Sequence, residues 1–304
     1  MKAIVVTQFG GPEVLRLVEV PDPVPSGDQI LVKLEAIGVN PVDTYLRAGS
    51  YPSLPSLPYT PGNDGAGTNL KTGERVYLSR SLSGTYAELC LASPEQVHPL
   101  PDRCTFLEGA SLGIPASTAY HALFHKAEIK PGQRVLIRGA SGAVGLAAVQ
   151  LAKGHGCWVA GTASSAEGQR LVKQQGADQV SGHDESEGPF DVILEMLANA
   201  GLQRDLQQAA PRGVIVVVGN RGEITIDPRL TMTGDLTIKG VSLANATSQE
   251  LERIDAGIAL ALKEGVLRPV IRQTYPLAQA EQAHRDVLAP GAAGKLVLVT
   301  FAHL

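Results

Sequence analysis

Two textures of apolar and polar positions divide the chain. Over residues 1–113, short β-branched runs such as IVV, ILVKLEAIGV and RVYL are separated by Pro- and Gly-rich turns, among them PDPVPSGD and YPSLPSLPYTPGNDG. Short runs bounded by such turns predict strands, so this segment reads as a mostly β domain with long surface loops. From residue 114 the pattern alternates. VLIRGA predicts a strand and 142–155 a helix; WVAGTA and 167–175 repeat the pair. VILEM, VIVVVG and LTIKGVSL follow as strands, with helical spacing at 202–210 and 249–264. Such alternation predicts an α/β domain, a doubly wound parallel sheet with helices on both faces. RPVIRQTYPL and GKLVLVT are strand-like again and return to the first domain, which makes it discontinuous. The predicted division is 1–113 together with 265–304 for the β domain, and 114–264 for the α/β domain.

The most informative stretch is RVLIRGASGAVGLAAVQLAKGHG, at 134–156. A dinucleotide-binding turn needs a strand, a Gly-rich bend and a helix whose N-terminus faces the pyrophosphate. VLIRGA supplies the strand and GAVGLAAVQLA the helix. Gly142 lets backbone approach the phosphates, and Gly145 lets the helix pack closely on the sheet. Ala140 stands where GxGxxG has its first glycine, so the strict pattern is missed by one residue. A plain tight turn is the competing reading; the strand before and the amphipathic helix after favour the cofactor.

NAD binders place an acidic residue about 20 residues on, at the end of the second strand. Here that region reads Thr162-Ala163-Ser164-Ser165, with Glu167 in the next helix and Arg170 one turn further. Hydroxyls and an Arg, with no carboxylate to repel it, suit a 2′-phosphate and predict NADPH over NADH. The same residues also allow a capping box from Ser164 to Glu167, with Arg170 on a solvated face.

Composition narrows the classes. A length of 304 residues allows two domains. The net charge of −4, without blocks of like charge, gives no general attraction to nucleic acid or anionic membrane. No apolar run approaches a membrane span, and the one in MKAIVVTQFGG is too short for a signal peptide. Cys90, Cys104 and Cys157 are odd in number and far apart, which predicts free thiols in a reducing, cytoplasmic setting.

The chain resembles the zeta-crystallin or quinone oxidoreductase branch of the zinc-free medium-chain dehydrogenases/reductases. The matching pieces are FGGPEVL, GVNPVDTYLRAGSY, PYTPGNDGAG, GIPASTAYHAL, RGASGAVGLAA, GTASSAEGQ, VILEMLAN, VVVGNRG and AAGKLVL, which cover nearly the whole chain in order. The resemblance implies a GroES-like substrate domain beside a Rossmann domain, with the active site in the cleft between them. It assigns Asn40, Asp43, Tyr45 and Tyr51 to the substrate side, where either Tyr could stack on a flat acceptor or hydrogen-bond its oxygen. On the cofactor side it assigns Thr118 and Gly142, Ala143 and Val144 to the phosphates, and Ser164 and Arg170 to the 2′-phosphate. Gly219, Asn220 and Arg221 come at a strand end facing the cofactor, Asn245 near the nicotinamide, and Lys295 after the Gly of AAGK. For Arg221 and Lys295 a surface cation is the plain alternative. The last strand of the α/β sheet, around LTIKGVSL, is expected to pair with its copy in a homodimer or homotetramer.

Zinc-containing relatives carry Cys near the position of Asn40 and His in the stretch that here reads Gly62-Asn63-Asp64; neither ligand is present. His121 and His125, at i, i+4 with no acid or Cys close in sequence, read as surface polarity, so no metal is expected. Without a Lewis acid, quinones and conjugated enones remain feasible acceptors for reducing equivalents from NADPH. The expected activity is therefore an NADPH-dependent quinone reductase. An alkenal or enone double-bond reductase would use the same residues. A crystallin-like or RNA-binding protein that retains NADPH is a further alternative, which the net charge and few aromatics disfavour.

Two segments are shorter than the family pattern. Only TNLKT separates GNDGAG from GERV, so a strand of the β domain is expected to be lost. SGHDESEGP replaces a whole helix between DQV and FDVILEM. Nine extended residues reach about 30 Å, barely the path of a crossover, which predicts an open sheet face. A trimmed variant and a sequence lacking two mobile loops both account for this.

Overall fold

The computed structural model describes residues 1–291 and 293–300. The last four residues assigned to the β domain lie outside them. The chain forms two compact units, Met1–Ile114 with Pro269–Pro290 and the segment from Gly294, and a second unit at Pro115–Arg268.

In the first unit β1 (Lys2–Val5) and β2 (Arg16–Glu19) pair antiparallel. The chain continues through β3 (Ile30–Val39), β4 (Asp64–Asn69), β5 (Arg75–Ser79), β6 (Leu89–Ala92) and β7 (Val97–Pro99). Between β3 and β4 lies helix α1 (Pro41–Ala48). Its start is set by Asn40 as N-cap, Pro41 at the first helical position and Asp43 closing a capping box; Gly49, at φ 73°, ends it. Helix α2 (Phe106–Gly109) precedes α3 (Gly113–Tyr120), which leads into the second unit.

That unit alternates β8 (Arg134–Ile137), α4 (Ala143–Gly154), β9 (Trp158–Thr162), α5 (Ala166–Gln174), β10 (Gln179–Ser181), β11 (Phe190–Glu195), α6 (Ala198–Gln208), β12 (Ala209–Val217), α7 (Pro228–Gly234), β13 (Thr237–Gly240) and α8 (Ser248–Glu264). The strands are parallel in the order β10-β9-β8-β11-β12-β13, the doubly wound order with its reversal between β8 and β11. The chain then supplies β14 (Ile271–Pro276), α9 (Ala280–Asp286) and β15 (Lys295–Val299) to the first unit. Its larger sheet runs β14-β15-β3-β4-β5-β7, with β6 also on β3. Leu34, Ile37, Leu78, Leu296 and Leu298 form its core. Among the described residues no helix is long and apolar enough to cross a membrane.

The structure corrects both expectations about the short segments. No strand is lost after GNDGAG: DGAGTN is itself β4, paired with β5 from Asp64↔Ser79 to Thr68↔Arg75. Asn69 N–H to Glu74 C=O (2.9 Å) and Gly73 N–H to Asn69 C=O (2.8 Å) close the hairpin, so only its loop is brief. The 182–189 crossover carries no helix, yet the sheet is not left open. Leu136, Phe190, Ile193 and Ile215 are buried with Leu206 of α6. Arg134 lays its guanidinium over the Trp158 ring, 3.9 Å from the centroid, and shields the neighbouring strand.

The crossover itself is tied down by Arg138, a buried side chain at the end of β8. Its guanidinium pairs with Asp205 (2.8 Å) and donates to the His183 carbonyl (2.9 Å), Ser186 Oγ (2.9 Å) and Gln208 Oε1 (2.7 Å). One fork of donors thus does the tethering that a packed helix would otherwise do.

Candidate active site and dinucleotide turn

In the α/β unit the chain turns from β8 through Gly139-Ala140-Ser141-Gly142 into α4. Gly139 has φ 56°, in the left-handed region that glycine enters without cost. The bend is pinned to β9, with Ala140 N–H donating to the Thr162 carbonyl (2.8 Å) and Gly139 N–H to Thr162 Oγ1 (3.3 Å). A Cβ on Gly145 would stand 2.6 Å from Ala140 Cα and 2.7 Å from the Gly139 oxygen, so this glycine seats the helix against the turn. At Gly142 an added Cβ meets nothing nearer than 3.6 Å, so there is space in front of the helix. No side chain caps α4, which leaves first-turn N–H groups, those of Ala143 and Val144 among them, for solvent or an anion. An open cradle before an uncapped N-terminus fits a pyrophosphate.

Ser164 and Arg170 are exposed, just beyond β9 and on α5. The cap of α5 differs from expectation: Ser165, not Ser164, accepts from Gly168 N–H (3.0 Å). Ser165 is the residue three positions before that amide, and the shift leaves the Ser164 hydroxyl out of the cap. Gly219, Asn220 and Arg221 follow β12, where Gly219 packs on the Met196 carbonyl with no room for a side chain. Asn220 Nδ2 donates to the Gly222 carbonyl (2.7 Å) and Arg221 N–H to Asn199 Oδ1 (3.0 Å). These three groups of residues all follow the carboxyl ends of parallel strands, where open α/β sheets bind ligands. Thr118 is half-buried on α3, and Asn245 is exposed in a 3₁₀ turn at Leu243–Asn245.

In the first unit a buried polar cluster joins α1, β4 and β15. Asn40 Nδ2 donates to Asp64 Oδ2 (2.8 Å), and Lys295 Nζ donates to Asn40 Oδ1 (2.5 Å) and Asp64 Oδ2 (3.0 Å). The other Asp64 oxygen accepts from Ile114 N–H (2.7 Å). Lys295 is 2% exposed, which corrects its reading as a surface cation: its ammonium is held by Asn40 and Asp64. Behind this cluster Asp43 accepts from Asn40 N–H (2.9 Å) and from the Tyr86 hydroxyl (3.3 Å), while its Oδ1 is buried without a partner among the described residues. Because the Tyr86 proton goes to Asp43, His284 Nε2, 3.0 Å from the same oxygen, is the donor to it. Asp43 therefore faces inward, toward Tyr86 and His284. Tyr45 and Tyr51 are half-buried, on α1 and just after it.

Burial pushes the Asp43 carboxyl up to about 7, with the Asp64 charge adding to the rise and Lys295 opposing it. Burial lowers His284 to about 3. A carboxyl raised on folding contributes stability that is complete below its unfolded value of 3.8 and lost as pH rises through 7. A lowered His does the reverse, stabilising above 6.5 and losing that contribution as pH falls through 3. Asp43→Asn is expected to remove the loss of stability between pH 3.8 and about 7, so its melting temperature should rise more steeply over that range than the wild type's, while the acid limb from His284 remains. Thermal unfolding across pH checks this, and an unchanged slope between pH 3.8 and about 7 would contradict it.

Asp64, Tyr86 and His284 were not singled out by sequence. Asp64 had a signal, a lone acid among the glycines of PGNDGAG. Tyr86 and His284 had none, since they meet across 198 positions. Glu195 and Asp205 form a second unforeseen pair, in which burial and the neighbouring Asp205 hold the Glu195 carboxyl above the usual range. One expectation is overturned: His121 is fully buried, and it lies with His125 and Glu250, all three ligand atoms within 4.8 Å of one another.

Comparison with known proteins bears on both units. Residues 26–102 match the model of the alcohol dehydrogenase GroES-like domain, and 143–257 that of the zinc-binding dehydrogenases. Mouse quinone oxidoreductase is 45% identical to this chain, with 98% of each covered. The chain belongs to the quinone oxidoreductase family of the medium-chain dehydrogenases/reductases. The alignment to that family member extends over 323 positions for a chain of 304, so the mouse protein carries residues that this member lacks. Among solved quinone oxidoreductases, that of Thermus thermophilus, solved also as its complex with NADPH, matches with a TM-score of 0.88 at 30% identity, covering 98% of this chain and all of its own. The Escherichia coli enzyme, complexed with NADPH, gives 0.86 at 29%, covering 98% of this chain and all of its own.

Zinc, named in the description of the second domain model, does not fit the Asn40 cluster. Asn40, Asp64 and Lys295 offer no thiolate or imidazole, and the buried ammonium already supplies the positive charge opposite Asp64.

Proposed function

We propose that this chain is an NADPH-dependent quinone oxidoreductase. The observation that carries the reading is its full-length likeness to quinone oxidoreductases, joined to an intact Gly142–Gly145 cradle despite the shortened crossover. When bound, NADPH supplies reducing equivalents from its nicotinamide ring. Gly142, Ala143 and Val144 would hold the pyrophosphate at the α4 N-terminus, and Ser164 and Arg170 the 2′-phosphate. Thr118, Gly219, Asn220, Arg221 and Asn245 are the further candidates for lining the cofactor. Tyr45 and Tyr51 are the aromatic surfaces we assign to a flat quinone. Asn40 is a positioning residue: held by Asp64 and Lys295, it sets the start of α1, which carries Tyr45.

Titration with NADPH and, separately, NADH tests the cofactor assignment. Arg170→Ala is expected to cut the preference for NADPH about tenfold, the effect of one charge-assisted hydrogen bond. An unchanged preference would remove Arg170 from the phosphate site. β13 forms an edge of the α/β sheet and exposes Ile238, which supports pairing with a second copy. Sedimentation should therefore show at least a dimer; the mass of one chain would contradict this.

A further inference from the structure

His121 and His125 lie on a π-helical segment, His121–Lys126, directly after α3. Such segments are rare and gather at functional sites. In it the two imidazoles meet with their Nδ1 atoms 3.0 Å apart and ring centroids 5.2 Å apart. Such a contact is made either by one Nδ1–H donating to the other Nδ1 lone pair or by a metal ion held between the two rings. His121 is fully buried, and its Nε2 has no hydrogen-bond partner among the described residues, so packing gives no reason for a polar ring there.

Glu250 comes to the same place from the N-terminus of α8. Its carboxylate is held in advance, because Oε2 accepts from Thr247 N–H (2.8 Å) and Thr247 Oγ1 (3.1 Å) in a capping box. Oε1 is left toward Lys126, whose Nζ stands 4.0 Å away. Two imidazoles and a carboxylate from two elements are a donor set suited to zinc and its borderline neighbours. We propose that His121, His125 and Glu250 bind one divalent transition-metal ion of the zinc class, which would join the π-helical segment to α8. This site is separate from the Asn40 cluster and does not depend on the quinone reductase reading.

The test is a Zn²⁺ titration of the full-length protein after chelator treatment and dialysis, followed by calorimetry. One saturable site per chain is expected, with a rise in melting temperature on saturation. His125→Ala and Glu250→Gln, both at half-buried positions, should each weaken binding at least about tenfold, as loss of even outer partners of metal ligands commonly does. Lys126→Ala removes a competing cation and should tighten binding. The metal-free melting temperatures of the variants separate lost folding from lost ligation. Absence of saturable binding in the wild type, or equal affinity in folded His125→Ala and Glu250→Gln, would overturn the proposal, as would weaker binding by Lys126→Ala.

Discussion

Lys295→Met is expected to destabilise the strand-rich unit by about 3–5 kcal/mol, because it leaves the Asp64 carboxylate buried without its cation. Asp64 is fully buried, and Lys295 is its ion-pair partner at 3.0 Å. Asn40 would lose the ammonium on Oδ1 at the same time, so the start of α1 should loosen too. Combining Lys295→Met with Asp64→Asn removes the orphaned charge and should recover most of the loss. Chemical denaturation of the wild type, both single variants and the double variant measures this coupling. A Lys295→Met loss below about 1 kcal/mol, the value of an exposed pair, would contradict the role given to the cluster.

The second large effect is expected at the dinucleotide turn. Gly145→Val places a branched side chain where even a Cβ would stand 2.6 Å from Ala140 Cα. Backbone cannot yield as a flexible side chain can, so α4 must move away from the bend. Displacing a positioning element by about 1 Å commonly costs on the order of 100-fold, and a loss of NADPH affinity of that size is expected. Gly142→Ala meets no such obstruction and should preserve the fold while weakening binding, because its methyl group enters the cradle. Fluorescence titration of both variants, with circular dichroism to show that they fold, separates the two effects. Unaltered NADPH binding by Gly145→Val would mean that the cofactor does not sit at this helix.

The alternation after residue 114 was enough to predict the doubly wound sheet, because parallel strands buried on both faces leave continuous apolar runs in the sequence. Loop lengths were less legible. The brief TNLKT segment read as a missing strand, since nothing local shows that DGAGTN, so rich in glycine, is itself β4. Arg138 looked like the end of a strand, and only the fold brings it to residues 183, 186, 205 and 208. The Gly142–Gly145 turn was visible because its chemistry lies within a few consecutive residues. The Asn40–Asp64–Lys295 cluster was not, because its members are joined by strand register: Val39 faces Leu296, and Gly38 faces Asp64. The cap of α5 was read at Ser164, one residue early, because only backbone geometry shows that the Ser165 hydroxyl faces the Gly168 amide.

NADPH oxidation by the purified protein, with a soluble quinone as acceptor, is the direct measurement of the proposed reaction. Turnover is expected to require both NADPH and quinone and to be much slower with NADH. NADPH binding without quinone-dependent oxidation would contradict it, and would show that this chain keeps the family's cofactor turn without its reaction.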